Sequence, residues 1–217
     1  GLFTDGITQL EPQDVAYARE LGYVIKHLGI ARQTDAGVEL RVHPTLVPER
    51  SLIAGVNDVA NAIMVNADAV GTTLFSGPGA GAEPTASSVI ADIVDVARAM
   101  DSYPDSWVPA LGCSPSVIEP RTLMNIEDVE TGFYIRFSAL DKPGVLSDVT
   151  KIMGDAGISI EAIIQREQPA GERYVNVIIL TNVTKEKCLN EAVTHIEHLE
   201  TVRGEVSFIR VEYLDQV

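Results

Sequence analysis

Cysteine is scarce: Cys113 and Cys188 are the only two among 217 residues. Neither belongs to a CxxC pair or to a Cys/His ligand spacing, so a disulfide framework and a metal site are not expected, and both are read as reduced thiols. Basic charge is scarce too. With 31 Asp and Glu against 16 Lys and Arg, the formal net charge is −15, a sign that repels phosphate backbones and anionic head groups. Nucleic-acid and membrane partners are therefore not expected. No apolar run approaches the roughly 20 residues that span a bilayer, and no basic stretch leads into an apolar core at the amino terminus. A soluble, cytoplasmic protein is the expectation. Neither a GxSxG elbow nor an HExxH pair occurs, so hydrolase chemistry has no support.

What is present suits a folded chain. Apolar residues make up 46% and charged residues 22%, too apolar a mixture for extended disorder, and the length favours two modest domains. Gly1, Leu2 and Phe3 include neither an initiator methionine nor a capped element, so the chain is expected to begin inside a longer parent.

The first hundred residues read as antiparallel sheet with two helices. Pro12 suits a first helical turn, Val15, Ala16 and Leu21 can share a face, and Gly22 can end that helix. Strands are predicted over 23–31 and 38–42, joined by a turn at 33–37 and stopped by His43 and Pro44, and again over 60–65 and 69–75 around a turn at 66–68. The glycine-rich turn from Gly77 to Gly81 leads into a helix with Pro84 near its start, in which Val89, Ile90, Ile93, Ala97 and Met100 recur at helical spacing and predict one buried face. From 101 to 128 the pattern gives way to Pro104, Pro109, Pro115 and Pro120, which predicts an extended connector.

Beyond it the order is strand, helix, strand, strand, helix, strand. Phe133, Ile135 and Phe137 alternate with Tyr134, Arg136 and Ser138, predicting a half-buried strand. Val145, Val149, Ile152, Met153 and Ala156 form one helical stripe, closed by Gly157. Strands over 158–165 and 174–181, joined across 169–171, precede a helix that Thr184 can cap, with Cys188, Leu189, Ala192, Val193 and Ile196 inward; a strand over 206–213 closes a split βαβ repeat, the ferredoxin-like plan.

The turn Asp141, Lys142, Pro143, Gly144, Val145, Leu146 joins a strand to a helix. Free amides at the positive end of a helix suit the carboxylate of a small ligand, although such a turn can equally be a tight connection. Asn176, on the facing middle strand, can add a polar contact or simply face water. The stretch 132–217 resembles the ACT family, most closely over 137–146 and at the step Gly157, Ile158, Ser159, Ile160. That resemblance implies a regulatory amino-acid site at this turn and pairing of copies through their sheets.

Upstream, the blocks 6–8 (Gly, Ile, Thr), 17–26, 41–48 (Arg, Val, His, Pro, Thr, Leu, Val, Pro), 68–71 and 77–87 resemble, in order and spacing, the carboxyl-terminal part of the homoserine dehydrogenase catalytic domain. The fold class implied is α+β: an antiparallel-sheet part of a dehydrogenase catalytic and dimerisation domain over 1–100, a proline-rich linker over 101–128 and a βαββαβ ACT domain over 129–217. The resemblance implies a parent that reduces aspartate semialdehyde to homoserine with NAD or NADP as cofactor, on the route to threonine, methionine and isoleucine, with threonine as the sensed amino acid and a homo-oligomer as the assembly. Its main dinucleotide-binding domain and catalytic lysine and carboxylates are expected ahead of residue 1, so no catalytic residue is assigned, and this chain alone is expected to bind no cofactor and turn nothing over.

Gly77, Gly79 and Ala82 also fit a G-x-G-x-x-A string. A dinucleotide fold is rejected there, because no βαβ unit surrounds it and Pro84 follows at once. By resemblance Gly77, Gly79 and Gly81 are instead auxiliary cofactor contacts, or merely the turn that starts a helix. His195 and His198 lie three apart but lack a third ligand, and an exposed polar face explains them. His43, ahead of Pro44, is read as structural, and Lys26 as a solvated or snorkelling side chain. The competing function is a module that only dimerises its parent and binds nothing.

Overall fold

The computed structural model describes residues 2–100, 111–166 and 173–214. They form two compact units, one made of Gly1–Ser51 with Thr122–Val217 and the other of Leu52–Arg121. This division cuts across the spans 1–100, 101–128 and 129–217.

In the first unit the chain forms β1 (Phe3–Thr4), α1 (Pro12–Glu20), β2 (Tyr23–Thr34) and β3 (Gly37–Pro48). Pro12 does begin α1, and Glu11 with Asp14 makes a capping box, the Glu11 amide donating to Asp14 Oδ2 at 2.9 Å. The face it buries is not the one predicted: Asp14, Tyr17 and Ala18 are inside, while Val15 is exposed. β3 also runs on through His43 and Pro44 rather than stopping there. Asp5 N donates to Val42 O and Glu212 N to Leu46 O, so the alternate residues Val42, Pro44 and Leu46 turn their backbone groups to the same side. Pro44 falls between the pairings of β3 with β1, at 41 and 42, and with β10 (Val202–Val211), at 45 and 46. Its missing N–H is not required there.

The second unit holds a two-stranded hairpin, β4 (Ala60–Ala67) with β5 (Gly71–Pro78), and α2 (Ala82–Met100). β4 is two residues longer than predicted and β5 one residue longer, and the hairpin turns at 68–70 instead of 66–68. Among the described residues the predicted face of α2 is not covered: no residue of the helix is buried, and Val89, Ile90, Ile93, Val96 and Met100 are all exposed. Periodicity reports which face seeks cover, and the described residues of this unit do not supply it.

Of the predicted connector, 101–110 lies outside the described residues. The remainder has short 3-10 turns at Pro115–Val117 and Ile126–Asp128, and 122–124 runs against β3, with Val38 N donating to Thr122 O at 2.8 Å and Met124 N to Val38 O at 3.0 Å.

Then come β6 (Glu130–Leu140), α3 (Val145–Asp155), β7 (Ile160–Gln165), β8 (Tyr174–Thr181), the two-residue β9 (Thr184–Lys185), α4 (Glu186–Glu197) and β10. The antiparallel order β10-β6-β8-β7 is the ferredoxin-like arrangement predicted. The predicted turn at 169–171 is outside the described residues. Thr184 does not cap α4; Lys185 holds the cap position, without a side-chain bond.

On the helical side Val145, Val149 and Met153 of α3 and Leu189, Ala192 and Ile196 of α4 pack on Phe133, Ile135 and Phe137. Each such aliphatic side chain contributes roughly 1.5–3 kcal/mol by leaving water. The other face of β6 was expected to be solvated, yet Tyr134 and Arg136 are buried as well, because α1 lies against it. The sheet does not end at β10. β3 joins its edge in parallel, through Arg210 with Thr45 and Val211 with Leu46, making one eight-stranded sheet in which the two stretches of sequence expected to be separate domains share a ladder.

Candidate functional site

A cavity of about 340 Å³ opens where β6 turns into α3. Its lining brings together six of the seven residues proposed from sequence for a regulatory ligand: Asp141, Lys142, Pro143, Gly144, Val145 and Leu146. The turn leads to a helix start whose N-cap, Gly144, has φ 97, and no side chain caps it. A left-handed residue there costs an L side chain roughly 1–2 kcal/mol, which is why glycine fits. Asp148 N closes the first helical turn onto Gly144 O at 3.0 Å. The amides ahead of it are the orphan donors of any helix start, with the positive end of the helix dipole behind them. Ala139, Leu140, Val175 and Val177 give the cavity an apolar floor, and Gln165 closes one side, its Nε2 donating to Asp141 Oδ1 at 3.2 Å. Carboxylate, lysine, bare amides and an apolar wall together can hold a small zwitterion. Gln165 escaped the sequence reading; its signal was the alternation along β7, visible only once the neighbour of that strand was known.

Asn176 is the exception and drops out of the site. Val175 and Val177 line the cavity, so the intervening side chain points through the other face of the sheet. There Asn176 Nδ2 donates to Gln13 Oε1 of α1 at 2.8 Å.

Gly77 lies at the exposed end of β5, opposite Asn61, and Gly79 and Gly81 lie on the exposed turn that follows it before α2. The turn follows an antiparallel hairpin and not a βαβ unit, as the rejection of a dinucleotide fold required. Two of the three glycines have reasons of their own. A Cβ on Gly79 would fall 1.6 Å from Asn61 Nδ2, and Gly81 has φ +124. A Cβ on Gly77 meets nothing within 4 Å, so packing does not require that glycine. The first turn of α2 offers the amides of Ala82 and Glu83 but none from Pro84. That open surface is not by itself a cradle for a cofactor.

His43 belongs to a buried ionic cluster. Arg41 Nη1 lies 2.5 Å from Glu212 Oε1, Arg41 Nη2 lies 2.9 Å from Glu39 Oε2, and Arg210 grips Glu186 with bonds of 2.7 and 2.6 Å. Burial, with the Arg210 and Arg41 charges beside it, lowers the His43 pKa to about 4. Its ring is thus neutral at pH 7, accepting from Arg41 Nη1 at 3.1 Å and donating to Pro44 O at 2.9 Å. This fits the structural role expected of it. His198 Nδ1 meets Thr194 O on the exposed side of α4, and no group of three metal-ligating side chains occurs among the described residues.

Two family models match the chain. Residues 2–94 match homoserine dehydrogenase and residues 133–198 match the ACT domain. The chain carries a homoserine dehydrogenase domain and an ACT domain. The homoserine dehydrogenase of Pseudomonas aeruginosa is 51% identical over 213 residues, 98% of this chain and 49% of that protein. That of Neisseria gonorrhoeae is 43% identical over 215 residues, 98% of this chain and 48% of that protein. The crystal structure of a homoserine dehydrogenase from Thiobacillus denitrificans superposes with a TM-score of 0.88 at 50% identity, covering 97% of this chain and 47% of that one. The chain therefore spans about half the length of the homoserine dehydrogenases it matches. No helix among the described residues is long and apolar enough to cross a membrane.

Proposed function

We propose that this chain is the regulatory and carboxyl-terminal catalytic portion of an NAD(P)-dependent homoserine dehydrogenase, in which the cavity at 141–146 binds threonine as a feedback signal. The observation that carries the proposal is the cavity at an uncapped helix start. The carboxylate of the amino acid sits at the amides of Val145 and Leu146, Asp141 meets its ammonium group, and Val175 and Val177 receive its small side chain. Lys142 adds positive charge at the rim. In the complete enzyme the nicotinamide supplies hydride for interconversion of aspartate semialdehyde and homoserine, and the turn bearing Gly77, Gly79 and Gly81 approaches the cofactor from outside its main domain. The three sequence spans 1–100, 101–128 and 129–217 stand as the functional parts, the copies assemble as a homo-oligomer, and the protein works in the cytoplasm.

Calorimetry tests the sensor directly, by titrating threonine, methionine, isoleucine and lysine into the purified chain. Threonine is expected to bind in the micromolar to millimolar range, on the order of −8 to −4 kcal/mol, and Asp141→Ala to abolish binding. Absence of binding by all four would favour the module that only dimerises. The 217 residues alone are expected to show no NAD(P)H oxidation with aspartate semialdehyde, and hydride transfer by them would overturn the assignment of the chemistry to the half they do not share with their relatives.

A further inference from the structure

The sheet that floors the cavity carries α1 on its back. On β7 and β8 the strand residues next in sequence to those of the cavity grip that helix, and β6 grips it from a little farther along. On β8, Val175 and Val177 line the cavity and Asn176 between them bonds Gln13. At the end of β7, Gln165 lines the cavity and Arg166 pairs with Glu20, with its guanidinium 5.5 Å from the centre of the Tyr17 ring. On β6, Ala139 and Leu140 line the cavity, while Arg136 binds Asp14 with Nε 2.6 Å from Oδ1. Residues 13, 14, 17 and 20 span nearly the whole of α1, so both ends of the helix are fastened to strands whose other side faces the ligand. The strands are one peptide thick. A ligand that changes the pleat or spacing of β7 and β8 must move Arg166 and Asn176, because alternation allows no slack between neighbours on one strand.

From this geometry we infer that α1 is the output of the cavity: Asn176 and Arg166 pass its occupancy to α1, which leads through Leu21 and Gly22 into β2 of the dehydrogenase segment. The inference rests on the cavity being an amino-acid site. Gln13, Asn176 and Arg166 are positioning residues here, since Gln13 and Arg166 touch nothing in the cavity and Asn176 faces away from it.

Coupling between two sites is reciprocal, so loosening α1 must change the affinity of the cavity even though no residue of the cavity is altered. Threonine is titrated by calorimetry into the full chain and into Gln13→Ala, Arg166→Ala and Arg19→Ala, the last an exposed position on the same helix. Thermal melts check that each variant is folded. Gln13→Ala and Arg166→Ala are expected to change the threonine Kd by about five-fold or more, with Arg19→Ala within two-fold of the parent. Hydrogen exchange on the parent should in addition show the amides of 13–21 slowed by threonine. Unchanged Kd values in both Gln13→Ala and Arg166→Ala would overturn the inference while leaving the sensor in place, and an equal shift in Arg19→Ala would overturn it as a non-specific effect. Absence of threonine binding by the parent chain would overturn the sensor itself and this inference with it.

Discussion

On one face of the long sheet, Val149, Met153, Leu189 and Ile196 meet Phe133, Ile135 and Phe137 in an apolar cluster. On the opposite face α1 sets the carboxylate of Asp14 against Arg136 and the hydroxyl of Tyr134, at 2.6 and 2.9 Å, among Tyr17, Tyr23 and Leu180. The first layer tolerates small changes of shape and depends on volume. The second depends on each polar group keeping its partner, and so it ties two distant stretches of sequence to one geometry. α2, with its apolar residues in the open among the described residues, marks a third condition, an apolar face left exposed.

Asp14→Ala attacks the polar face where it is least replaceable, leaving a mostly buried guanidinium without its closest partner. A loss of about 3–5 kcal/mol in urea unfolding is expected, and a loss below 1 kcal/mol would mean that the pair is incidental. Met153→Ala, the matching test of the apolar face, should cost about 2–5 kcal/mol through lost contact and a residual cavity. His43 sharpens the contrast by pH. Its pKa is depressed in the fold from 6.5 to about 4, so the unfolded chain binds the extra proton first. The stability it contributes is complete above pH 6.5 and is lost as pH falls toward 4, by up to about 3 kcal/mol. His43→Gln should flatten that part of the stability profile, and an unchanged slope would exclude His43 as its cause. Gly144→Ala meets no steric obstacle but keeps the left-handed φ, so about 1–2 kcal/mol of destabilisation is expected in thermal melts. The smallest effect belongs to α2. Ile93→Ser removes an apolar side chain already 58% exposed, and the stability of this chain should stay within about 0.5 kcal/mol of the parent.

Most of the βαββαβ half was legible because each element writes its own period. The stripe Val145, Val149, Met153 and the alternation Phe133, Ile135, Phe137 are local statements, and the structure places both as read. The turn at 141–146 was legible for the same reason, since Pro143 and Gly144 determine how a helix can start. Reading failed where a residue answers to a distant neighbour. Arg136 looked solvated until α1 covered it, Pro44 looked like a strand end until it fell into the gap between β1 and β10, and Asn176 looked like a ligand contact until alternation turned it toward Gln13.

Composition, period and turn chemistry by themselves determined the elements of the ACT half, their order and the helix start that borders the cavity, since all of these depend on side chains within a few positions of one another. Only the tertiary structure decided that β3 extends the same sheet, that α1 seals its back and that the apolar face of α2 stays exposed among the described residues. Strand partners and buried ion pairs between residues more than a hundred positions apart follow from packing, which no short stretch of sequence encodes.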